Sequence, residues 1–376
     1  MRNTKNKKTV VITKDPGVEL MRILGCLIVL ACHCVVAYKF DGQYHPDNTF
    51  IAGLWADGVA IFWFVTGFFF FKSSDAGKKL KNFAVKRLLP ALGVGGVLFY
   101  LYDWATSDTT FFESLHHTRQ EYIDLFLGEN GLLKLNSPFP KSGHFWYVIV
   151  YVLVLLVFPA LKGFWDWMQE KKTREQLFMI VSFVLLGVND WMMNETFHFQ
   201  NTSIQALVPS CIFIIWGAIL YKNKKALEKG WLGVVGFIGF FVINKMRSAV
   251  MVITISDHYM FWYTTFGLVA AVCMFLFCIN VGNLFKGNIA GKIVGYISSY
   301  TFMIYLVHYG IKDILIHLKV KDKIYEMCPP GAPMNVVGYT LLMALTTFVA
   351  SFVFVVILHY GKVGIVGLWK KVKKKN

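Results

Sequence analysis

Arg22 and His33 sit in one apolar stretch, MRILGCLIVLACHC (residues 21–34), although a hydrocarbon environment penalises both groups. A guanidinium grips anions, and an imidazole, which titrates near neutral pH, can take a proton from a hydroxyl. An α-helix turns about 100° per residue, so eleven positions bring the two side chains to one face within about 20°. At about 1.5 Å per residue they are about 16 Å apart along the axis, roughly half the hydrocarbon thickness. Taken singly, Arg22 could snorkel to headgroups and His33 could be a neutral core imidazole. Stacked on one face, the pair points to a site with two ends. Cys32, His33 and Cys34 do not form a metal site, because consecutive helical residues point about 100° apart and cannot converge on one ion. No HExxH, paired CxxC or Walker-type glycine loop occurs.

The composition says where such a pair must be held. Of 376 residues, 56% are hydrophobic and 16% charged, too apolar for a soluble domain with one packed core. The net charge of +16 is divided into short lysine clusters between apolar runs, where it sets topology and gives no sign of nucleic-acid binding. Ten segments reach the length of about 20 residues that a bilayer requires: 19–38, 51–71, 84–104, 144–164, 176–193, 204–221, 231–250, 260–281, 293–316 and 335–359. The expected fold is therefore all-α, a multi-pass membrane bundle of about ten helices forming one domain over 1–376. Basic residues concentrate in alternate connections, which places both termini in the cytoplasm, with 1–18 and 361–376 as basic ends. The first run lacks a small-x-small cleavage pattern and reads as a retained helix. The long connection 105–143 falls outside and is a candidate cover or acceptor platform. Six of the seven cysteines lie in apolar segments, so no disulfide framework is implied.

Depth then sorts the remaining polar residues. Asp57 enters the second span at about the depth of His33, and in contact with it would fix the imidazole tautomer and stabilise the imidazolium. His144 opens the fourth span and His308 lies in the outer half of the ninth. Lys86 and Arg87 start the third span at the inner face, near Arg22. Cations gather inside and a His/Asp set outside. That division suits an anionic donor that exists only in the cytoplasm, such as an acyl-CoA, and an acceptor activated on the other side.

Five blocks in order along the chain resemble the acyltransferase-3 family, bacterial integral-membrane enzymes that acylate sugars of surface polysaccharides. They are ELMRILGCLIVLACH (19–33), DGVAIFWFVTGFFFFKS (57–73), NFAVKRLLP (82–90), GHFWYV (143–148) and SSYTFMIYLVH (298–308). The resemblance implies a ten-helix bundle in the bacterial cytoplasmic membrane. It further implies an acyl-CoA donor, commonly acetyl-CoA, and a glycan or lipid-linked sugar acceptor on the far side. It makes Arg22 and His33 the essential pair and Arg87 a donor-binding residue, with Lys86 beside it. Ala84 stands where family members often carry a further arginine. His144, Trp146 and His308 are candidates for the acceptor side. Asp57 is not carried by the resemblance; it follows from depth alone.

Two function classes compete. An O-acyltransferase would use Arg22, Arg87 and Lys86 on the donor, with His33 and Asp57 activating a hydroxyl directly or through an acyl-histidine. A transporter of a small polar solute would use His33 and Asp57 as proton or substrate groups. No pair of interrupted spans is legible, which weighs against the transporter. A scaffold whose polar residues only pack leaves the segregation of cations and imidazoles unexplained. Lys245 and Arg247, near the outer end of the seventh span, read as snorkelling residues or as cations that recognise an acidic glycan.

Overall fold

The computed structural model describes residues 15–34, 39–40, 43–44, 46–72, 75–85, 89, 93, 96–97, 100, 103–104, 110–127, 146–195, 203–254, 263–329 and 333–373. In chain order the helices are α1 (Pro16–Cys32), α2 (Pro46–Leu54), α3 (Gly58–Phe70), α4 (Ala76–Phe83), α5 (Phe111–Leu127), α6 (Trp146–Leu156), α7 (Phe158–Gln169), α8 (Lys172–Glu195), α9 (Ser203–Lys222), α10 (Lys224–Leu227), α11 (Gly230–Thr254), α12 (Thr265–Leu284), α13 (Ile289–Ser298), α14 (Thr301–His317), α15 (Val320–Met327) and α16 (Pro333–Lys373). A two-residue hairpin, β1 (Lys39–Phe40) with β2 (Gln43–Tyr44), follows α1.

α1 is the axis of the bundle and packs against α3, α12, α13, α14 and α16. Asp15 starts it, its carboxylate accepting from the Gly17 N–H at 3.0 Å, while Pro16 supplies a helical φ where no N–H partner is needed. Small residues let neighbours approach. A Cβ on Gly67 of α3 would strike the Ile214 carbonyl of α9, and one on Gly217 would strike the Phe64 carbonyl, so this crossing brings backbone against backbone. Leu177, Ile180, Val184 and Val188 of α8 and Val235, Ile238 and Val242 of α11 are exposed at helical spacing and form faces suited to lipid.

Four stretches are long and apolar enough to cross a bilayer: Thr49–Phe70, Gly230–Thr254, Thr265–Leu284 and Asn335–Gly361. Two bent pairs, Val150–Leu156 with Phe158–Gln169 and Ile289–Ser298 with Thr301–His317, raise the number to six if each is one span. The protein is thus an all-α, multi-pass membrane protein, but the expected ten spans are not reached among the described residues. α1 has 17 residues and carries Glu19 and Arg22, α9 offers only a shorter apolar stretch, Ala206–Lys222, and most of 84–104 lies outside the described residues. Within the long connection 105–143, α5 is a helix of 17 residues.

The bends correct the expectation of uninterrupted spans. At Val157 the chain turns by 63°, because Pro159 in the first turn of α7 has no N–H and its ring displaces the carbonyl four residues back. Between α13 and α14 it turns by 58° at Ser299 and Tyr300. That second break lies along the stripe of α1 that carries Arg22 and His33.

Candidate functional site

Arg22 opens into a cavity of about 610 Å³ bounded by α1, α3, α4, α6 and the α13/α14 break. Phe62, Phe69, Tyr147, Tyr151 and Tyr305 give it aromatic walls, and Ser298, Ser299 and Thr301 supply hydroxyls from the break. The guanidinium is aimed by its own helix. Its Nη1 donates to both carboxylate oxygens of Glu19, at 3.1 and 3.2 Å, and Ser298 Oγ donates to Glu19 Oε2. Glu19 is 4% exposed, whereas the Arg22 side chain keeps 30% of its surface, and its Nε and Nη2 have no partner among the described residues. One edge of the fork is fixed and the other is left for an anion or carbonyl oxygen.

Eleven residues on, the same stripe meets α14. His33 closes α1 as its C-terminal cap, and its Nδ1 lies 2.9 Å from the Tyr309 hydroxyl. Its ring stacks on His308, centroids 5.3 Å apart and planes at 27°. Lys312 Nζ reaches the His33 carbonyl at 3.4 Å and lies 4.3 Å from the Tyr309 ring centroid. His308 is buried, and its Nδ1 lies 2.5 Å from the Tyr305 carbonyl; a carbonyl only accepts, so that nitrogen carries the proton. Tyr305 joins the two ends. Its ring lines the Arg22 cavity and stands 5.8 Å from the His308 ring. His33 itself is not among the described residues lining that cavity.

Asp57 requires a correction. It does not pair with His33; its Oδ1 accepts from Arg247 Nη2 at 2.6 Å, and neither side chain is exposed. Arg247 also donates to the Gly53 carbonyl at 3.1 Å and to Asn244 Oδ1 at 3.2 Å. A buried carboxylate takes the full positive charge that α11 brings to it, because leaving either ion unpaired away from water is costly. Arg247 therefore does not snorkel. Lys245, two residues away, is exposed and lies 3.9 Å from Asp47.

Trp146 is the first residue of α6, with its side chain outside the described residues, and Lys86, Arg87 and His144 also lie outside them. Glu19, Ser298, Tyr305, Tyr309 and Lys312 are site residues that sequence reasoning did not single out. For Glu19 the signal was present: an acid three residues before an arginine on a helix pairs with it. Beyond the cavity, Lys224 is held between Asp15 and Glu228, the latter at 3.0 Å. Burial pushes the pKa of its ammonium down, but the hydrogen bonds it donates to those two carboxylates outweigh this and leave the pKa above the ordinary lysine value.

Neither the curated proteins nor the solved structures contain a match to the chain. The family described as Acyltransferase domain (Acyl_transf_3) matches residues 15–358, from the cap of α1 to the far end of the apolar part of α16. With that match covering both ends of the Arg22–His33 stripe, the chain belongs to the acyltransferase-3 family and is an acyltransferase.

Proposed function

We propose that the protein transfers an acyl group, acetyl in the simplest case, from cytoplasmic acyl-CoA to a hydroxyl of a glycan or lipid-linked sugar outside the membrane. The single observation that carries this reading is the half-committed Arg22 guanidinium. It is fixed by Glu19 on one edge and open on the other toward an aromatic cavity. The residues fit a thioester donor: hydroxyls and a cation at the α13/α14 break for its polar groups, aromatic walls for its thin apolar arm. Ten spans with both termini cytoplasmic would put the Arg22 end inside and the His33 end outside.

In this reading His33 is the base. With Nδ1–H donating to Tyr309, the Nε2 lone pair takes the proton of the acceptor hydroxyl as its oxygen attacks the thioester carbonyl carbon. The C–O bond forms and the carbonyl pair moves to oxygen, while Arg22, about three helical turns away on the same stripe, holds the polar arm of the donor. Collapse breaks the C–S bond, and the proton held by imidazole passes to the departing thiolate. An acyl-histidine intermediate, in which His33 itself attacks first, uses the same groups. Asp57 has no direct part in either scheme. Lys86 and Arg87 would meet the donor, and His144, Trp146 and His308 the acceptor.

The test is release of free CoA thiol from acetyl-CoA by purified protein supplied with a cell-surface glycan, alongside wild type, Arg22→Ala and His33→Ala. Wild type releases thiol in proportion to glycan acetylation and both variants do not, while their melting stays cooperative. Near-normal transfer by His33→Ala overturns the reading.

A further inference from the structure

Arg22 is not alone at its end of the cavity. Its guanidinium carbon lies 5.5 Å from the centroid of the Phe69 ring, and on the same ring, 4.5 Å from the centroid, lies the ammonium of Lys72. That ammonium is also 5.7 Å from the Tyr221 ring, whose centroid is 5.6 Å from that of Phe69. Two cations, one from α1 and one from just past the end of α3, thus contact the same aromatic ring. Phe69 belongs to the cavity wall yet is 37% exposed, while Phe68 and Phe70 on either side of it are buried, so this ring marks the solvent edge of the cavity.

Two other lysines near the Tyr221 ring are committed. Lys224, 5.9 Å from the Tyr221 ring, is held by Asp15 and Glu228, and Lys222 donates to Glu175 and Gln169, both at 2.5 Å. Lys72 differs: among the described residues it has ring contacts and no carboxylate. Cation–π contact holds an ammonium in place without neutralising it, so its charge remains available to an anion.

We propose that Lys72 binds a phosphate of the acyl donor, so that the donor's phosphate chain is gripped at the solvent edge of the cavity while its thioester arm runs inward past Arg22. The inference rests on the acyl-CoA reading above and adds to it a residue that selects donors by their phosphates. A cation held on a ring next to a cavity-facing arginine matches a polyanion whose charges are spaced along a chain better than it matches a lone carboxylate. A phospholipid headgroup offers the same phosphate chemistry at a membrane edge, so the test must separate the two.

Transfer is measured in maltoside detergent, which carries no phosphate, with acetyl-CoA and with acetyl-pantetheine, the same thioester without any phosphate. The quantity read is the ratio of kcat/KM for the two donors. Lys72→Ala and Lys72→Gln each lower that ratio about tenfold, mainly through KM for acetyl-CoA, and Lys72→Arg restores most of it. An unchanged ratio in Lys72→Ala and Lys72→Gln overturns the proposal. So does an effect seen only as weaker retention in phosphatidylglycerol vesicles, which assigns the lysine to lipid. If wild type uses neither donor, the acyl-CoA reading itself fails, and this inference falls with it.

Discussion

Asp57 and Arg247 form an ion pair of 2.6 Å with neither side chain exposed, binding the turn before α3 to the middle of α11. Thr49 and Ser248 add a hydroxyl pair at 2.5 Å across the neighbouring α2–α11 contact. Removing one charge strands the other in a site that water does not reach. Asp57→Ala or Arg247→Ala should lower stability by about 3–5 kcal/mol, and a double change to Leu and Met should recover much of the loss. Thermal unfolding in detergent checks this; single variants as stable as wild type refute it.

Glu19 fixes one edge of Arg22, so Glu19→Ala should cut transfer more than tenfold while the protein still folds. The loss should appear in kcat, because an unanchored guanidinium no longer holds the donor in one position relative to the acceptor. Ser298→Ala removes only the hydroxyl that steadies Glu19 and should cost less. Steady-state kinetics on the purified variants decide the order, and an inactive Ser298→Ala beside a normal Glu19→Ala would reverse the assignment.

Tyr309→Phe deletes the hydroxyl that faces His33 Nδ1 and leaves the ring packing. Activity should fall about tenfold and stability by no more than ~1.5 kcal/mol, the net worth of an ordinary hydrogen bond. Measuring both on the same preparation separates a role in orienting the imidazole from a role in holding the helices together.

Gly67→Ala should splay α3 from α9, since the new methyl meets backbone rather than a movable side chain. A loss of about 1–3 kcal/mol is expected, the usual cost of overpacking. Gly163→Ala, where nothing lies within 4 Å, serves as the control and should change the melting temperature little.

Helical periodicity made the shared face of Arg22 and His33 legible, because that relation lies within one helix. It could not reveal what the face meets. Tyr309 is 276 residues from His33, and Arg247 is 190 from Asp57. Depth alone made Asp57 a partner for His33; lateral position, which no single segment encodes, gave it to Arg247. The bend at Val157 had a local cause in Pro159, and the Ser298-Ser299 pair marks the other, yet continuous hydropathy hid both. The α13/α14 interruption forms part of the wall of the Arg22 cavity.

The clamp between Glu19 and Arg22 needs only α1, so it can form as soon as the first helix leaves the ribosome. The imidazole has no such independence: its tyrosine arrives with α14, near the end of synthesis. A nascent chain therefore acquires the Glu19–Arg22 pair early, whereas the partner of the His33 imidazole and the α14 wall of the cavity come late.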